Sequence, residues 1–274
     1  MVDPIRLHDA GPSSPASATW SRLRVEAISM AGEEPVLASL LNATILHHDS
    51  LAGALAYHLA QRLGDADMNA LMLREVCAAA YAADPGIVEA ADRDMQAVRT
   101  RDPACRSLIQ PFLWFKGYGA IQAQRVAHWL WNDGREWIAL HLQSRVSELF
   151  AIDIHPAARI GSGVMLDHGT GVVIGETAVV GDDVSMLHGV TLGGTGKAGG
   201  DRHPKIGRGV LIGAGAKVLG PIRVGEFARI AAGSVVLHEV NPHCTVAGVP
   251  AKPVGGTCTS PAEDMDQIFP SYDI

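Results

Sequence analysis

Between Ile154 and Val236 an aliphatic residue returns every six positions, and this beat limits what the chain can fold into. The first residues of the units are Ile154, Ile160 and Leu166. After a skip of eight come Ile174, Val180, Met186 and Leu192, and after a skip of fourteen Ile206, Ile212, Val218, Val224, Ile230 and Val236. The residue two places earlier is small or aliphatic in most units (Ala158, Val172, Ala216, Ser234), and glycine often follows directly (Gly161, Gly175, Gly207). No amphipathic helix carries such a pattern, because a period of 3.6 does not divide six and no single apolar stripe results. An inward aliphatic, an inward small residue and a turn glycine in each unit spell a β-solenoid. The two skips fall at Asp167-His168-Gly169 and at Gly194 to Lys205, so chemistry is expected where the beat is interrupted.

The 274 residues leave room for two modest domains. Aromatic residues make up only 5% while glycine numbers 30, as expected of thin coils in place of a bulky layered core. A net charge of −7 argues against nucleic acid as the main partner, since neutralising phosphates needs a basic face. Cys77, Cys105, Cys244 and Cys258 show neither C-x-x-C spacing nor a disulfide framework, and read as free thiols of a reducing cytoplasm. No apolar run approaches the roughly 20 residues of a membrane helix. Residues 1–19 have no apolar segment of a secretory signal and read as a disordered tail.

From residue 20 to 151 the period is helical. Leu51, Leu55, His58, Leu59 and Leu63 share one face before Gly64, and a further helix ends before Asp84-Pro85, which starts the next. Phe112 to Trp131 reads as one long apolar helix, and Trp137 to Phe150 as the last. The expected fold is thus an all-helical N-terminal domain followed by a parallel β-helix over 152–253, with a loop insertion at 194–205. Residues 254–274 lose the beat and read as a mobile tail. Flat prism faces favour side-by-side packing, so a cyclic homo-oligomer is expected.

If three six-residue units close one coil, the prism has three corners. The interruptions follow the third and seventh units, four apart, so they leave from different corners and point away from each other. In a trimer of parallel prisms one corner's loop meets the other corner's loop from a neighbour. The active site is therefore expected between subunits, with His168 from one chain and Arg202-His203 from another. His168 lies in a glycine-rich corner, and Asp153 precedes it by fifteen residues, close to one coil. A carboxylate that accepts one imidazole N–H leaves the other nitrogen as a general base. The alternative is that the pair only holds a turn, or that Asp153 caps the junction of helix and solenoid. Arg202 offers a planar fork for a carboxylate, whereas Gly194 to Lys205 otherwise reads as a plain surface loop. Its Gly-x-Gly-Lys lacks the spacing of a phosphate-binding loop. Asp102 reads either as a ligand residue or as a helix N-cap. The solenoid histidines lack the close spacing expected of a zinc site, and no metal is expected.

Tyr81-Ala-Ala-Asp-Pro85, Gln96-Ala-Val-Arg-Thr-Arg-Asp-Pro103, Asp153-Ile-His-Pro-Ala157, Leu166-Asp-His-Gly-Thr-Gly171, Val190-Thr-Leu-Gly-Gly-Thr-Gly-Lys197 and Gly200-Asp-Arg-His-Pro-Lys205 resemble the bacterial serine O-acetyltransferases. The resemblance implies a left-handed β-helix and acetyl transfer from acetyl-CoA, a co-substrate, to the hydroxyl of L-serine. Carried onto matching positions, His168 is the base and Asp153 orients it. Asp102, Asp167, Arg202 and His203 hold the amino acid, and backbone around Gly194, Thr195, Ala214 and Ala232 binds the pantetheine arm. The resemblance further implies inhibition by L-cysteine and a homotrimer or dimer of trimers. It also implies a complex with cysteine synthase (O-acetylserine sulfhydrylase) through the terminal Ile274.

Overall fold

The computed structural model describes residues 15–196, 199–255 and 257–265. The expected tail up to residue 14, Lys197 of the inserted loop and the terminal Ile274 lie outside the described residues. Helix α1 spans Pro15–Glu33, so the chain is helical before Trp20, where a tail was expected. Trp20, Leu23 and Ala27 recur on its buried face and anchor it to the helices that follow. After a short helix, α2 (Ala38–Leu41), come α3 (Leu51–Leu63), α4 (Ala70–Ala83) and α5 (Gly86–Arg101). Side chains cap the first turns of α3 and α4, where Ser50 accepts from Gly53 N–H and Asn69 from Met72 N–H, and Asp84 accepts from Gly86 N–H just ahead of α5.

The stretch expected as one helix from Phe112 to Trp131 is two, α6 (Ile109–Leu113) and α7 (Lys116–Asn132), parted at Trp114 and Phe115. Packing explains the break. A Cβ on Gly117 would lie 2.1 Å from the Leu166 carbonyl oxygen, so α7 begins flush against the solenoid. The last helix before the solenoid, α8 (Glu136–Phe150), stops at Ala151 with φ 55°, and the strands begin two residues later.

All thirteen beat residues sit in short strands, stacked in three parallel sheets. The first sheet stacks β1 (Asp153–Ile154), β4 (Val173–Ile174), β7 (Thr191–Gly193), β10 (Lys217–Leu219) and β13 (Val235–Val236). The second stacks β2 (Arg159–Ile160), β5 (Val179–Val180), β8 (Lys205–Ile206) and β11 (Arg223–Val224). The third stacks β3 (Met165–Leu166), β6 (Ser185–Met186), β9 (Leu211–Ile212) and β12 (Arg229–Ile230). It ends in β14 (Thr245–Gly248) and an antiparallel β15 (Ala251–Pro253). Each coil thus visits the three sheets in turn, and every beat residue except the half-buried Ile160 is buried inside. One hydrophobic cluster runs from Trp20 through Phe150 and Ile152 to Val246, so helices and solenoid share a core.

A buried ion pair clamps the two halves. The fully buried Asp94 receives Arg125 Nη2 at 2.7 Å and the Val164 N–H at 2.8 Å, and Arg125 also donates to the Gly161 carbonyl at 2.7 Å. Beyond Pro253, where a mobile tail was expected, the chain forms a short helix, α9 (Pro261–Asp264). Ala262 is buried, Ser185 Oγ donates to its carbonyl at 2.9 Å, and Met265 packs on Val98 and Met165. These are long-range contacts with no periodic trace in the sequence. No helix among the described residues is long and apolar enough to cross a membrane.

Candidate active site

The first interruption of the beat lies on the edge between the third and first sheets. There residues 167–172 make a corner two residues longer than its neighbours. His168 has φ 56°, Gly169 φ 69° and Gly171 φ 73°, so three left-handed residues turn the chain tightly. The Gly169 N–H donates to the Asp167 carbonyl and the Gly171 N–H to Ala151. The turn leaves the His168 side chain 76% exposed, with Asp167 Oδ1 3.8 Å from Nε2. Beside it opens a cleft of about 350 Å³, lined by Asp102, Asp167, His168, Trp114, Lys116 and Met165 among others.

Helices form the far wall of that cleft. Asp102 ends α5 as its C-cap, not as the N-cap the sequence allowed. Its Oδ1 accepts from the Ala104 N–H at 2.8 Å, and Oδ2 has no hydrogen bond among the described residues. Lys116, at the start of α7, donates to Thr170 Oγ1 at 2.5 Å and so ties that helix to the His168 corner. Within the single chain, two carboxylates therefore flank one exposed imidazole. Lys116, Trp114 and His188, whose ring centroid is 6.1 Å from that of His168, were missed by sequence reasoning. His188 was findable, because it stands two residues past Met186 as His168 stands two past Leu166, and those strands pair in register. Lys116 had only one signal, the glycine beside it that lets a helix touch a strand.

Asp153 lies one coil away on the same edge, at the start of β1, whose register partner Val173 follows the His168 corner. Among the described residues its carboxylate accepts one hydrogen bond, from Gln143 Nε2 to Oδ1 at 2.7 Å, and none from His168. Oδ2 is the oxygen left for an imidazole.

The same edge continues as a column. His188, Ala214 and Ala232 each stand two residues past an in-register strand residue, directly in line with His168. The carbonyls of His188 and Ala214 accept from Gly215 and Gly233, at 2.8 Å each. The N–H groups of His188, Ala214 and Ala232 donate no hydrogen bond among the described residues. Stacked coils therefore present a row of donors about 4.8 Å apart running away from the imidazole.

The second interruption leaves from the other edge of the first sheet, between β7 and β8, as the four-unit count requires. Here the loop folds inward. Thr177 Oγ1 accepts from the backbone N–H groups of Arg202 at 3.0 Å and His203 at 3.1 Å. Arg202 Nη2 is 2.5 Å from Glu176 Oε2, a hydrogen bond that holds the Glu176 carboxyl below its usual range. His203 is buried, and its ring lies where a Cβ on Gly175 would be, 2.0 Å from Nε2. The Thr177 N–H donates to His203 Nδ1 at 3.1 Å, so Nε2 carries the proton, and burial lowers the pKa of this imidazole. The half-buried Gly194 and the exposed Thr195 begin the loop. One chain does not bring Arg202, His203, Gly194 or Thr195 to the His168 cleft. Among the described residues no group of three His, Cys, Asp or Glu side chains is placed to hold a metal ion.

Residues 19–123 match the family model for the serine acetyltransferase N-terminal domain, and residues 203–238 match the bacterial transferase hexapeptide model of six repeats. The chain is 57% identical over 251 residues to the serine acetyltransferase of Escherichia coli K12, covering 91% of this chain and 92% of that protein. The chain belongs to the serine acetyltransferase family. It is similar to a solved serine acetyltransferase in complex with cysteine, with TM-score 0.90 and 52% identity over 92% of this chain and 98% of that one. The Brucella abortus serine acetyltransferase in complex with coenzyme A matches with TM-score 0.87 and 54% identity, over 88% and 97% of the two chains. The Neisseria gonorrhoeae serine acetyltransferase in complex with serine matches with TM-score 0.84 and 54% identity, over 86% and 97%. The chain is accordingly an acyltransferase in which a helical region precedes a hexapeptide-repeat solenoid.

Proposed function

We propose that the chain transfers the acetyl group of acetyl-CoA to the hydroxyl of L-serine, giving O-acetyl-L-serine and CoA, the first step of cysteine synthesis from serine. The observation that carries this reading is an exposed imidazole, His168, set in a cleft with Asp102 and Asp167. His168 takes the serine hydroxyl proton as the oxygen attacks the thioester carbonyl, and Asp153 steadies the ring as it becomes charged. The tetrahedral intermediate collapses with cleavage of the C–S bond, and the leaving thiolate takes the proton back from the imidazolium. Asp102 and Asp167 face the acceptor's ammonium. Donors along the His188–Ala214–Ala232 column suit the amide carbonyls of a pantetheine arm and the oxyanion of the intermediate.

Arg202 and His203 complete the site from a neighbouring chain, with Arg202 exchanging Glu176 for the acceptor's carboxylate and Gly194 and Thr195 lining the other bank of the groove. A homotrimer, alone or paired as a dimer of trimers, supplies that neighbour. L-cysteine, which shares serine's ammonium and carboxylate, competes for the same cleft and acts as feedback inhibitor. This reading has the enzyme cytoplasmic and docks its terminal Ile274 in cysteine synthase. Release of CoA thiol on addition of L-serine, slowed by L-cysteine, is the expected result. Sugars such as maltose outperforming L-serine as acceptors would overturn the assignment.

A further inference from the structure

Arg101 is the last residue of α5, immediately before Asp102, and its guanidinium is almost wholly buried. Nη1 donates to the Gly163 carbonyl at 2.9 Å and to Ser185 Oγ at 3.1 Å, while Nη2 lies 3.7 Å from Asp183 Oδ1. Ser185 sits on β6, whose register partner Met165 lines the cleft and leads within three residues to His168. Through Ser185 Oγ, which donates on to the Ala262 carbonyl, the same cation also holds α9. One buried fork thus joins the end of the helix that carries Asp102, the strand pair beneath the Asp167–His168 corner, and the C-terminal segment. Backbone carbonyl, hydroxyl and carboxylate must all be reached from one planar group, which a point-charge lysine does not reproduce.

We propose that Arg101 is a positioning residue, fixing the separation of Asp102 from the Asp167–His168 corner and thereby setting affinity for the acceptor's ammonium without touching the acceptor. This rests on the reading of Asp102 as the ammonium partner. The geometry also distinguishes Arg101 from its neighbours. Arg93 and Arg208 reach the same Asp183, at 3.2 Å and 3.0 Å, but are partly exposed and bind neither Gly163 nor Ser185.

Steady-state kinetics of the full-length enzyme test the proposal. Losing hydrogen bonds to a charged group is worth about a factor of ten or more. Arg101→Gln is expected to raise the KM for L-serine about tenfold, leaving the KM for acetyl-CoA and the pH profile of kcat unchanged. Arg101→Lys falls between, and Arg208→Gln stays within about twofold of the parent. Because Arg101 acts through Asp102, Arg101→Gln combined with Asp102→Asn is no worse for serine than Asp102→Asn alone. An unchanged serine KM in Arg101→Gln, equal losses toward both substrates, or additive effects in the double variant each overturn the proposal. Failure of the unaltered chain to release CoA with L-serine is a different result, and it removes the functional reading itself.

Discussion

The two interrupted edges of the solenoid are built in opposite ways. On the edge between the third and first sheets the corner is strained outward and the imidazole of His168 stands in solvent. On the edge between the first and second sheets the longer loop folds back, its arginine on Glu176 and its histidine buried over Gly175. An exposed acid–base group is ready to react but has little to hold a substrate's carboxylate. An inward-folded cation is held in place but has no reacting atom nearby. On the proposed reading each edge is half of a site, and the triangular coil keeps the two edges apart within one chain.

The largest effect that breaks this contrast is at the open edge. His168→Ala is expected to lower kcat by about 10²–10⁴-fold with the fold intact by circular dichroism. A kcat near the parent's would mean that the open edge does no acid–base work. Next comes the wall that shapes that edge. Gly117→Ala puts a methyl 2.1 Å from the Leu166 carbonyl, a backbone clash no rotamer relieves, and should cost about 3 kcal/mol in denaturant unfolding. Loss of serine turnover should accompany it, because α7 must move off the His168 corner. Unchanged stability would show that the helix does not depend on this contact.

A pH series separates the helical half from the loop edge. His58 is buried against Phe112 with Nε2 unpartnered, and burial takes its pKa down to about 4 from an ordinary 6.5. The unfolded chain then binds the extra proton first, so His58's contribution is complete above about pH 6.5. It is lost as pH falls toward 4, by on the order of 3 kcal/mol. Burial depresses His203 in the same direction at the closed edge. His58→Leu should flatten the acid limb of a stability–pH curve. An identical slope in that variant would place the linkage elsewhere. The smallest effect is expected at Thr177, whose hydroxyl holds the loop by the N–H groups of Arg202 and His203. Thr177→Val should cost about 1–2 kcal/mol of local stability and raise the KM for serine more than that for acetyl-CoA. Equal changes in both would mean that the loop is not the carboxylate's holder.

Much of this was legible in the sequence because a solenoid is a local code. Each of the thirteen beat residues needed only its own unit to be placed, and counting units was enough to send the two insertions to different edges. The same register carries Ala214 and Ala232 into line with His168. What was not legible depends on contacts distant in the chain. The break at Trp114 comes from a strand fifty residues later, and Lys116 reaches the cleft only because of it. The docking of α9 hangs on Ser185 and Met165, and no periodicity announces it. Spacing sets Asp153 about one coil from His168, but gives no hint that Gln143 occupies one of its oxygens. The hand of the coil came from resemblance to a family and not from any residue pattern.

Complementation measures directly whether the two edges meet across chains. Chains carrying His168→Ala are mixed with chains carrying Arg202→Ala, unfolded and refolded together so that assemblies contain both, and assayed for CoA release with L-serine. A neighbour's intact edge can then face an intact edge of the other kind, so the mixture should recover a clear fraction of parental turnover although each variant alone is inactive. A mixed assembly as inactive as its two components would contradict the account.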